Sequence, residues 1–397
     1  MNVLQICHKM PFPPNDGGTL AMYQLSKAML DMGWTVKILG IGTAKHPITE
    51  MPIDEVFKKT DPEGVTIDTT PKVGGLLKAT FSKNNYIVNR FEDEEFRSLI
   101  SKTLEDSKYD LVILEGTFTA IYIDLIKRKF KGITMMRSHN VEFQLWEDRM
   151  HNEPSSIKRF LLKAPIEQLR EFELSELKKV DVVAAISMSD KAFFNSYFGL
   201  RKTIYVPFGI ALPEPIAEYL EQENKIVFLG ALDWDPNVQG VHWFLENVWG
   251  LLREKNSELE FHIAGRNAND NFGKNLPEGV VFHGEVADAH SFISSGIVFV
   301  VPLMSGSGIR IKIIEGLALG QVVATTTKGA LGIPAQDQRD ILISDTPKHM
   351  ARQILDIIKL PKTRQSISIH ARKLAEKEFD ISNTQKALLE MVKTFKK

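Results

Sequence analysis

Short β-branched runs alternate with helix-length amphipathic segments through the first half of this chain, and the same rhythm begins again in the second half. Val3–Cys7, Thr35–Leu39, Leu111–Leu114, Gly132–Met136 and Asp181–Ile186 are of strand length, with a helical segment at Leu20–Met32. Strands separated by helices predict βαβ units and a parallel sheet. After Pro213 and Pro215 the pattern restarts with Ile226–Leu229, a helix from about Val238 to Arg253, Leu259–Ala264, Val280–Phe282, Ile297–Val301, a helix around Lys312–Leu319, and Val322–Thr325. The expected fold class is therefore α/β, with two Rossmann-like, doubly wound parallel-sheet domains facing a cleft.

The first domain is expected over 1–207 and the second over 208–379, with a hinge at Tyr205–Pro215 and a polar stretch through Asn224. The tail from Pro361 is rich in Lys, Glu and Leu, and Asp380 and Ser382 are suited to cap a last helix, 380–397, that rejoins the first domain. At 397 residues and 43% hydrophobic the chain can bury two cores. Charge nearly cancels, 49 Lys+Arg against 50 Asp+Glu, so no nucleic-acid partner is expected and any phosphate binding must be local. The lone cysteine, Cys7, excludes a disulfide framework and fits a reducing compartment. Val3–Cys7 breaks at His8, Lys9 and Pro11, too soon for a signal peptide, and Gly296–Met304 is of strand length, so no membrane span is predicted and a cytoplasmic protein is expected.

The strongest local signal runs Ser305-Gly306-Ser307-Gly308-Ile309-Arg310-Ile311-Lys312-Ile313-Ile314-Glu315-Gly316. A small, Gly-rich turn from a strand into a helix offers free backbone N–H groups and the positive end of the helix dipole to an anion. Arg310 and Lys312 add two cations, which suits a diphosphate better than a carboxylate, and Glu315 stands where it can accept from a ribose diol. The plain alternative is a flexible turn before an ordinary amphipathic helix, because a Gly-rich turn alone is a weak motif.

At these residues the chain resembles the family-4 glycosyltransferases (glycosyl transferases group 1), of the two-domain GT-B type. Their second domain carries two glutamates eight positions apart around a Gly-rich turn; Glu315 corresponds to the second, while the first falls on Ser307. An exopolysaccharide-type branch is more similar still, with a Gly-Ser-Gly-x-Arg-x-Lys turn and a Trp-x-Pro-Asn string, here Trp234-Asp235-Pro236-Asn237. The resemblance implies that Gly308, Ile309 and, by position only, Ser307 hold the donor sugar and that Glu315 binds the ribose; Ser305 and Gly306 are donor-binding candidates through the turn amides that face the diphosphate. Family members also place an arginine after the first strand of the second domain and a lysine several residues on, both for the diphosphate. Here Gly230-Ala231 and Gln239-Gly240 stand there, and Arg310 and Lys312 are expected to replace the missing cations.

In the first half, His8-Lys9-Met10-Pro11-Phe12-Pro13-Pro14-Asn15-Asp16-Gly17-Gly18 leads from a strand to a helix starting near Thr19. Paired glycines there let backbone approach a phosphate or sugar, though such a cluster is first of all a turn. In the family, Gly17 and Gly18 would face the donor. Arg137-Ser138-His139-Asn140-Val141-Glu142 follows another strand; a lone histidine is more often structural, yet His139 matches the family histidine that reaches the donor sugar. Arg137, Asn140 and Glu142 are acceptor-side candidates, with pairing between Arg137 and Glu142 as the alternative.

Asp233-Trp234-Asp235 invites a metal reading, but Pro236 follows at once, which suits a helix entry. No metal and no cofactor are expected, the nucleotide diphosphate sugar being a substrate. Ser156–Lys179 mixes Lys158, Arg159 and Lys163 with Phe160, Leu161 and Leu162, either a surface helix or a peripheral membrane contact at the inner face. The resemblance implies a retaining transferase with catalytic candidates His139, Arg310 and Lys312, acting on a saccharide or lipid-linked acceptor in polysaccharide or cell-envelope glycan synthesis. A GT-B nucleotide-sugar epimerase and a nucleotide-sugar-binding protein without transferase activity are the alternatives, the latter favoured by Ser307.

Overall fold

The computed structural model describes residues 1–14, 16–44, 46–48, 54–70, 85–151, 153–215, 224–269, 271–306 and 308–395. Asn15, Ser307 and the polar stretch 216–223 lie outside the described residues. The chain divides into two compact units, Met1–Ile210 with Ile381–Lys397, and Ala211–Asp380.

The first unit holds seven strands, β1 (Asn2–Cys7), β2 (Thr35–Gly42), β3 (Glu63–Thr66), β4 (Leu111–Glu115), β5 (Ile133–Ser138), β6 (Val182–Ala185) and β7 (Thr203–Tyr205). They pair in the order β3-β2-β1-β4-β5-β6-β7, every neighbour parallel, with Val3 opposite Val36 on one side and Leu111 on the other. Both faces are covered, which is why β1 is apolar without alternation. Leu4 and Ile6 pack with Phe96, Ile100 and Tyr122 on one face; Val3 and Cys7 pack with Met22, Leu25 and Met29 on the other. Leu388 and Met391 join that second core, so the last helix, Ile381–Phe395, belongs to this unit, and Gln385 Nε2 donates to Ala28 O (3.3 Å).

The second unit holds β8 (Lys225–Leu229), β9 (Glu260–Ala264), β10 (Val280–Phe282), β11 (Val298–Val301), β12 (Val323–Thr325) and β13 (Leu342–Ile343), in the order β10-β9-β8-β11-β12-β13 and again parallel. In each sheet the order reverses beside the first strand, at β1/β4 and at β8/β11. Loops leaving those strand ends run to opposite faces and part from each other, and a ligand fits between them.

The long helix expected over Val238–Arg253 is continuous from Asp235 to Lys255 but contains a π-helical turn at Leu245–Trp249. The tail is two helices, Pro361–Phe379 and Ile381–Phe395, broken where Asp380 takes extended backbone (φ −65°, ψ 136°). Three strands escaped the sequence reading. β7 and β13 span only three and two residues, and β3 starts at Glu63-Gly64. Gly64 is required there, since a Cβ would stand 2.1 Å from Gly40 O on β2. Among the described residues no helix is long and apolar enough to cross a membrane.

Candidate active site

In the second unit, the Gly-rich turn follows β11 and leads into the helix Ile311–Ala318. Ile313, Ile314 and Leu317 are fully buried, and burying each contributes about 1.5–3 kcal/mol, which anchors the helix and so the turn. Gly306 (φ +98°) and Gly308 (φ +78°) adopt backbone that other residues resist. Arg310 stands at the N-cap position, and no side chain of the described residues caps the helix, so its first N–H groups turn their positive end towards an anion.

β8 and β11 are adjacent, so the loop after β8 lies against this turn. That loop carries the Trp-Asp-Pro-Asn string, with Trp234 as N-cap of the helix Asp235–Phe244 and Pro236 in its first turn. Three pairs join the two stretches. The Arg310 guanidinium lies over the Trp234 ring (5.5 Å to its centroid), Lys312 Nζ donates to Asn237 Oδ1 (2.8 Å), and Ser305 Oγ donates to Gln239 Oε1 (3.1 Å). Lys312 Nζ also donates to Leu229 O (2.9 Å) and sits over the Phe228 ring (4.9 Å). Asn237 is 2% exposed, and because its Nδ2 donates to Ala231 O (2.7 Å), its oxygen must face the ammonium.

Burial pushes the Lys312 ammonium down to about 7, helped by Arg310 and opposed by Glu315. Burial alone lowers Arg310 to about 10. Burial raises Glu315 above the usual carboxylate range, with His290 and Lys312 opposing; its carboxylate has no hydrogen-bond partner among the described residues and is partly exposed. Ile309 is also partly exposed, whereas Ser307 lies outside the described residues.

Glycines floor the strand ends beside the turn. A Cβ on Gly230 would lie 2.3 Å from Lys312 Nζ, and one on Gly265 would lie 2.0 Å from Gly230 O. Beyond them, Gly265, Asn267, Phe282 and Gly284 line a recess of about 430 Å³ after β9 and β10. This floor is a feature the sequence reading missed; glycines immediately after consecutive strands are its signal. Gly240 explains the lysine absent nearby: a Cβ there would stand 2.6 Å from Pro302 O, so no side chain fits. The Asp233 carboxylate accepts from Asn267 Nδ2 (3.2 Å), and Asp235 lies in the first turn of a helix, where an acid suits the dipole.

In the first unit the candidates gather after β1, β4 and β5, around a residue the sequence reading did not single out. Glu115 ends β4 and is fully buried. Its carboxylate accepts from Gln5 Nε2 (2.8 Å), meets His139 Nε2 (2.7 Å) and stands 3.4 Å from Arg137 Nη1. Burial acts to raise its pKa, but Arg137, His139 and Gln5 together hold it below the usual carboxylate range. Burial lowers His139, against the pull of Glu115, and lowers His8 to about 3. His8 Nδ1 donates to Glu115 O (2.8 Å); Gly116 (φ +81°) permits this, since a Cβ there would lie 2.8 Å from His8 Nδ1.

Arg137 is corrected as an acceptor-side candidate. It is 1% exposed, and its guanidinium donates to Ala21 O (2.9 Å) and Glu115, so it faces the interior and does not pair with Glu142. Glu142 instead accepts from Trp146 Nε1 (3.2 Å). Asn140 is partly exposed, and its carbonyl accepts from Ser138 Oγ. Glu173, also unforeseen, is fully buried and accepts from Thr117 Oγ1 (2.7 Å) and from the amides of Glu142 and Phe143 (both 3.1 Å). It thereby caps the helix Glu142–His151 that begins at the end of the histidine loop. Burial raises Glu173 to about 7.

Gly17 and Gly18 open the helix Gly17–Asp31, whose cap is Asp16, accepting from Thr19 N (2.8 Å). The anion at that helix end is thus Asp16 itself. Burial opposes its charge, but His46 (3.0 Å) and Lys9 (2.7 Å) hold it well below the usual range. The cap does not use the amides of Gly17 and Gly18, and a Cβ on Gly18 would lie 2.9 Å from Lys9 Nζ.

Residues 223–359 match a family model described as Glycosyl transferases group 1. A Klebsiella pneumoniae protein described as an uncharacterized 44.6 kDa protein in the cps region is 20% identical over 393 residues, covering 95% of this chain and 96% of its own. Sucrose-phosphate synthase from Thermosynechococcus elongatus superposes with a TM-score of 0.72 at 14% identity, covering 99% of this chain and 98% of its own. Anabaena HepE, solved with UDP, gives 0.68 at 14% identity, covering 99% and 100%. S. aureus TarM, solved with UDP and saccharide ligands, gives 0.67 at 11%, covering 98% and 99%. The parallel sheets and these likenesses share one architecture, the GT-B fold.

Proposed function

We propose that this chain, residues 223–359 of which match the family model described as Glycosyl transferases group 1, transfers a sugar from a nucleotide diphosphate to an acceptor hydroxyl with retention at the anomeric carbon and without a metal. The observation that carries the reading is the meeting of Trp234, Asn237 and Gln239 with Arg310, Lys312 and Ser305 at the β8/β11 switch point, where two cations, a helix end with no side-chain cap among the described residues and a glycine floor converge. A nucleotide diphosphate suits that convergence. The diphosphate would lie on the turn between Arg310 and Lys312, the ribose diol would donate to Glu315, and the base would occupy the recess after β9 and β10.

Transfer breaks the bond between anomeric carbon and diphosphate oxygen and forms one to the acceptor oxygen on the same face, the acceptor proton passing to the departing diphosphate. Arg310, Lys312 and the helix amides stabilise the charge that develops there. Since these groups meet the diphosphate directly, no divalent cation is assigned to it. Anabaena HepE, solved with UDP-glucose and with UDP, supports a nucleotide-sugar donor, and the cps-region description of the Klebsiella relative supports a polysaccharide context for the acceptor.

Thermal shift with UDP-, GDP- and ADP-glucose, without added metal, tests the donor site. A ligand at a hundred times its Kd stabilises by about 2.7 kcal/mol, and Arg310→Ala and Glu315→Ala should abolish the shift. Persistence of the full shift in both variants would remove the diphosphate from this turn; binding without transfer would support a nucleotide-sugar-binding protein without transferase activity. Retention is read from the anomer of the product. We also assign a peripheral membrane contact to the helix Ser156–Glu176, where Ile157 (72% exposed) and Phe160 (64% exposed) flank exposed Lys158, Arg159 and Lys163. Co-sedimentation with anionic vesicles should be lost in Phe160→Glu; equal recovery of the variant would refute it.

A further inference from the structure

The Glu115 carboxylate dictates where the protons of its neighbours must be. With Arg137 and Gln5 beside it, it is ionised and can only accept, so His139 Nε2, 2.7 Å away, must carry its hydrogen. A neutral imidazole holds one ring hydrogen, and His139 Nδ1 is left as a bare lone pair with no hydrogen-bond partner among the described residues. His8 is fixed the other way. Its Nδ1 lies 2.8 Å from the Glu115 carbonyl, which also can only accept, so His8 carries its hydrogen on Nδ1. One residue therefore sets two neighbouring rings, 6.0 Å apart, in opposite tautomers, one by its side chain and one by its main chain.

We propose that Glu115 is a positioning residue that locks His139 in the Nε2–H tautomer so that its Nδ1 accepts a hydrogen bond from a hydroxyl of the sugar substrate. The identity of that ligand rests on the transferase reading above. A lone pair at this position selects a group that can donate. A free hydroxyl satisfies it, whereas a fluorine or methyl ether at the same carbon leaves it facing another acceptor and is rejected. Arg137 and Gln5 serve the same end from the interior, because their donors keep the carboxylate charged and fixed in orientation.

Nitrogen-15 histidine spectra of the full chain test the lock directly, with the His139 signals identified by their loss in His139→Asn. The wild type should give His139 protonated on Nε2 and His8 on Nδ1. In Glu115→Gln the amide oxygen stays with Gln5 Nε2, which also donates to Met22 O and can only donate, the NH₂ takes the place of the oxygen that meets His139 Nε2 and Arg137 Nη1, and the ring must move its hydrogen to Nδ1; His8, bonded to main chain, should not change. With the nucleotide-glucose that the thermal-shift screen selects, kcat/KM should fall at least about a hundredfold in Glu115→Gln and recover in part in Glu115→Asp, which keeps an accepting carboxylate. Wild-type His139 protonated on Nδ1, or a reversed tautomer in Glu115→Gln with unchanged kcat/KM, overturns the proposal. If Glu115→Gln does not fold, the wild-type spectrum and the kinetics of Glu115→Asp decide it. Tautomers as described with no transfer by the wild type from any nucleotide-glucose would uphold the lock and sink the transferase reading instead.

Discussion

In the proposed donor site, Lys312 makes diphosphate binding depend on pH, and its burial sets the size of the effect. Burial and the neighbouring Arg310 hold the ammonium at about 7, so above neutral pH the free protein carries an amine where the diphosphate requires a cation. Binding must then recover one proton. Between pH 7 and pH 9 the protonated fraction falls from half to one part in a hundred, so affinity should drop about fiftyfold, or about 2.3 kcal/mol. Below pH 7 it should level off, apart from the last proton of the nucleotide, whose pKa is about 6. Titration calorimetry of UDP at pH 8.5, in two buffers of different ionisation enthalpy, should register uptake of nearly one proton. Asn237→Asp puts a carboxylate where an amide oxygen now lies 2.8 Å from Nζ, which should raise the Lys312 pKa by about 1–3 units and move the fall in affinity above pH 8. Affinity that stays constant from pH 6.5 to 9 without proton uptake would refute the chain of reasoning at Lys312.

Three stability predictions follow from the buried contacts. Glu173, raised by burial to about 7 against an unfolded value near 4.5, binds more protons folded than unfolded between those values, so it favours the first unit below pH 4.5 and that contribution is lost as pH rises through 7, by about 3 kcal/mol at most. Urea unfolding should show this decline in the wild type and a flatter profile in Glu173→Gln, and parallel profiles would refute the assignment. Lys312 gives the second unit the opposite slope, with stability rising from pH 7 towards 10.5 because there the unfolded chain holds the extra proton. Gly230→Ala drives a methyl group to 2.3 Å from Lys312 Nζ, whose bonds to Leu229 and Asn237 must then break; hydrogen bonds to a charged group contribute about 1.5–3 kcal/mol each. Its melting temperature should fall and UDP binding should weaken together, and an unchanged melting curve would show that the floor has room.

Ten of the thirteen strands among the described residues and the Gly-rich turn were legible because they depend on local pattern: apolar runs of the right length, and glycines where φ must be positive. What pairs with what was not, since Asn237 and Lys312 are 75 positions apart and meet only because β8 and β11 are neighbours. Glu115 escaped for the same reason. In the sequence it reads as the polar residue that ends an apolar strand, yet in the sheet its register partner is Arg137. Sequence proximity suggested Arg137 with Glu142, but along an extended strand end Arg137 and His139 share a side, and both turn to the carboxylate on β4. Glu173 hides on the buried face of a helix whose exposed residues dominate its composition.

The absent cations after β8 have a physical account on the same ground. Gly230 lies against Lys312 Nζ and Gly240 against the Pro302 carbonyl, so the loop and the helix that follow β8 pack too closely to carry long side chains at either position. In the proposed donor site the cation would then come from across the β8/β11 seam, where Lys312 Nζ donates to Leu229 O at the end of β8. An arginine or lysine restored at 230 or 240 would therefore weaken binding by prising the seam apart, even though it adds a charge the diphosphate could use. UDP affinity of Gly230→Arg and Gly240→Lys, measured with Arg310 and Lys312 intact, distinguishes this from a simple deficit of charge: relocation requires both variants to lose affinity, whereas a gain in either would mean that the seam opens at little cost and that the cations at 310 and 312 are additions, not replacements.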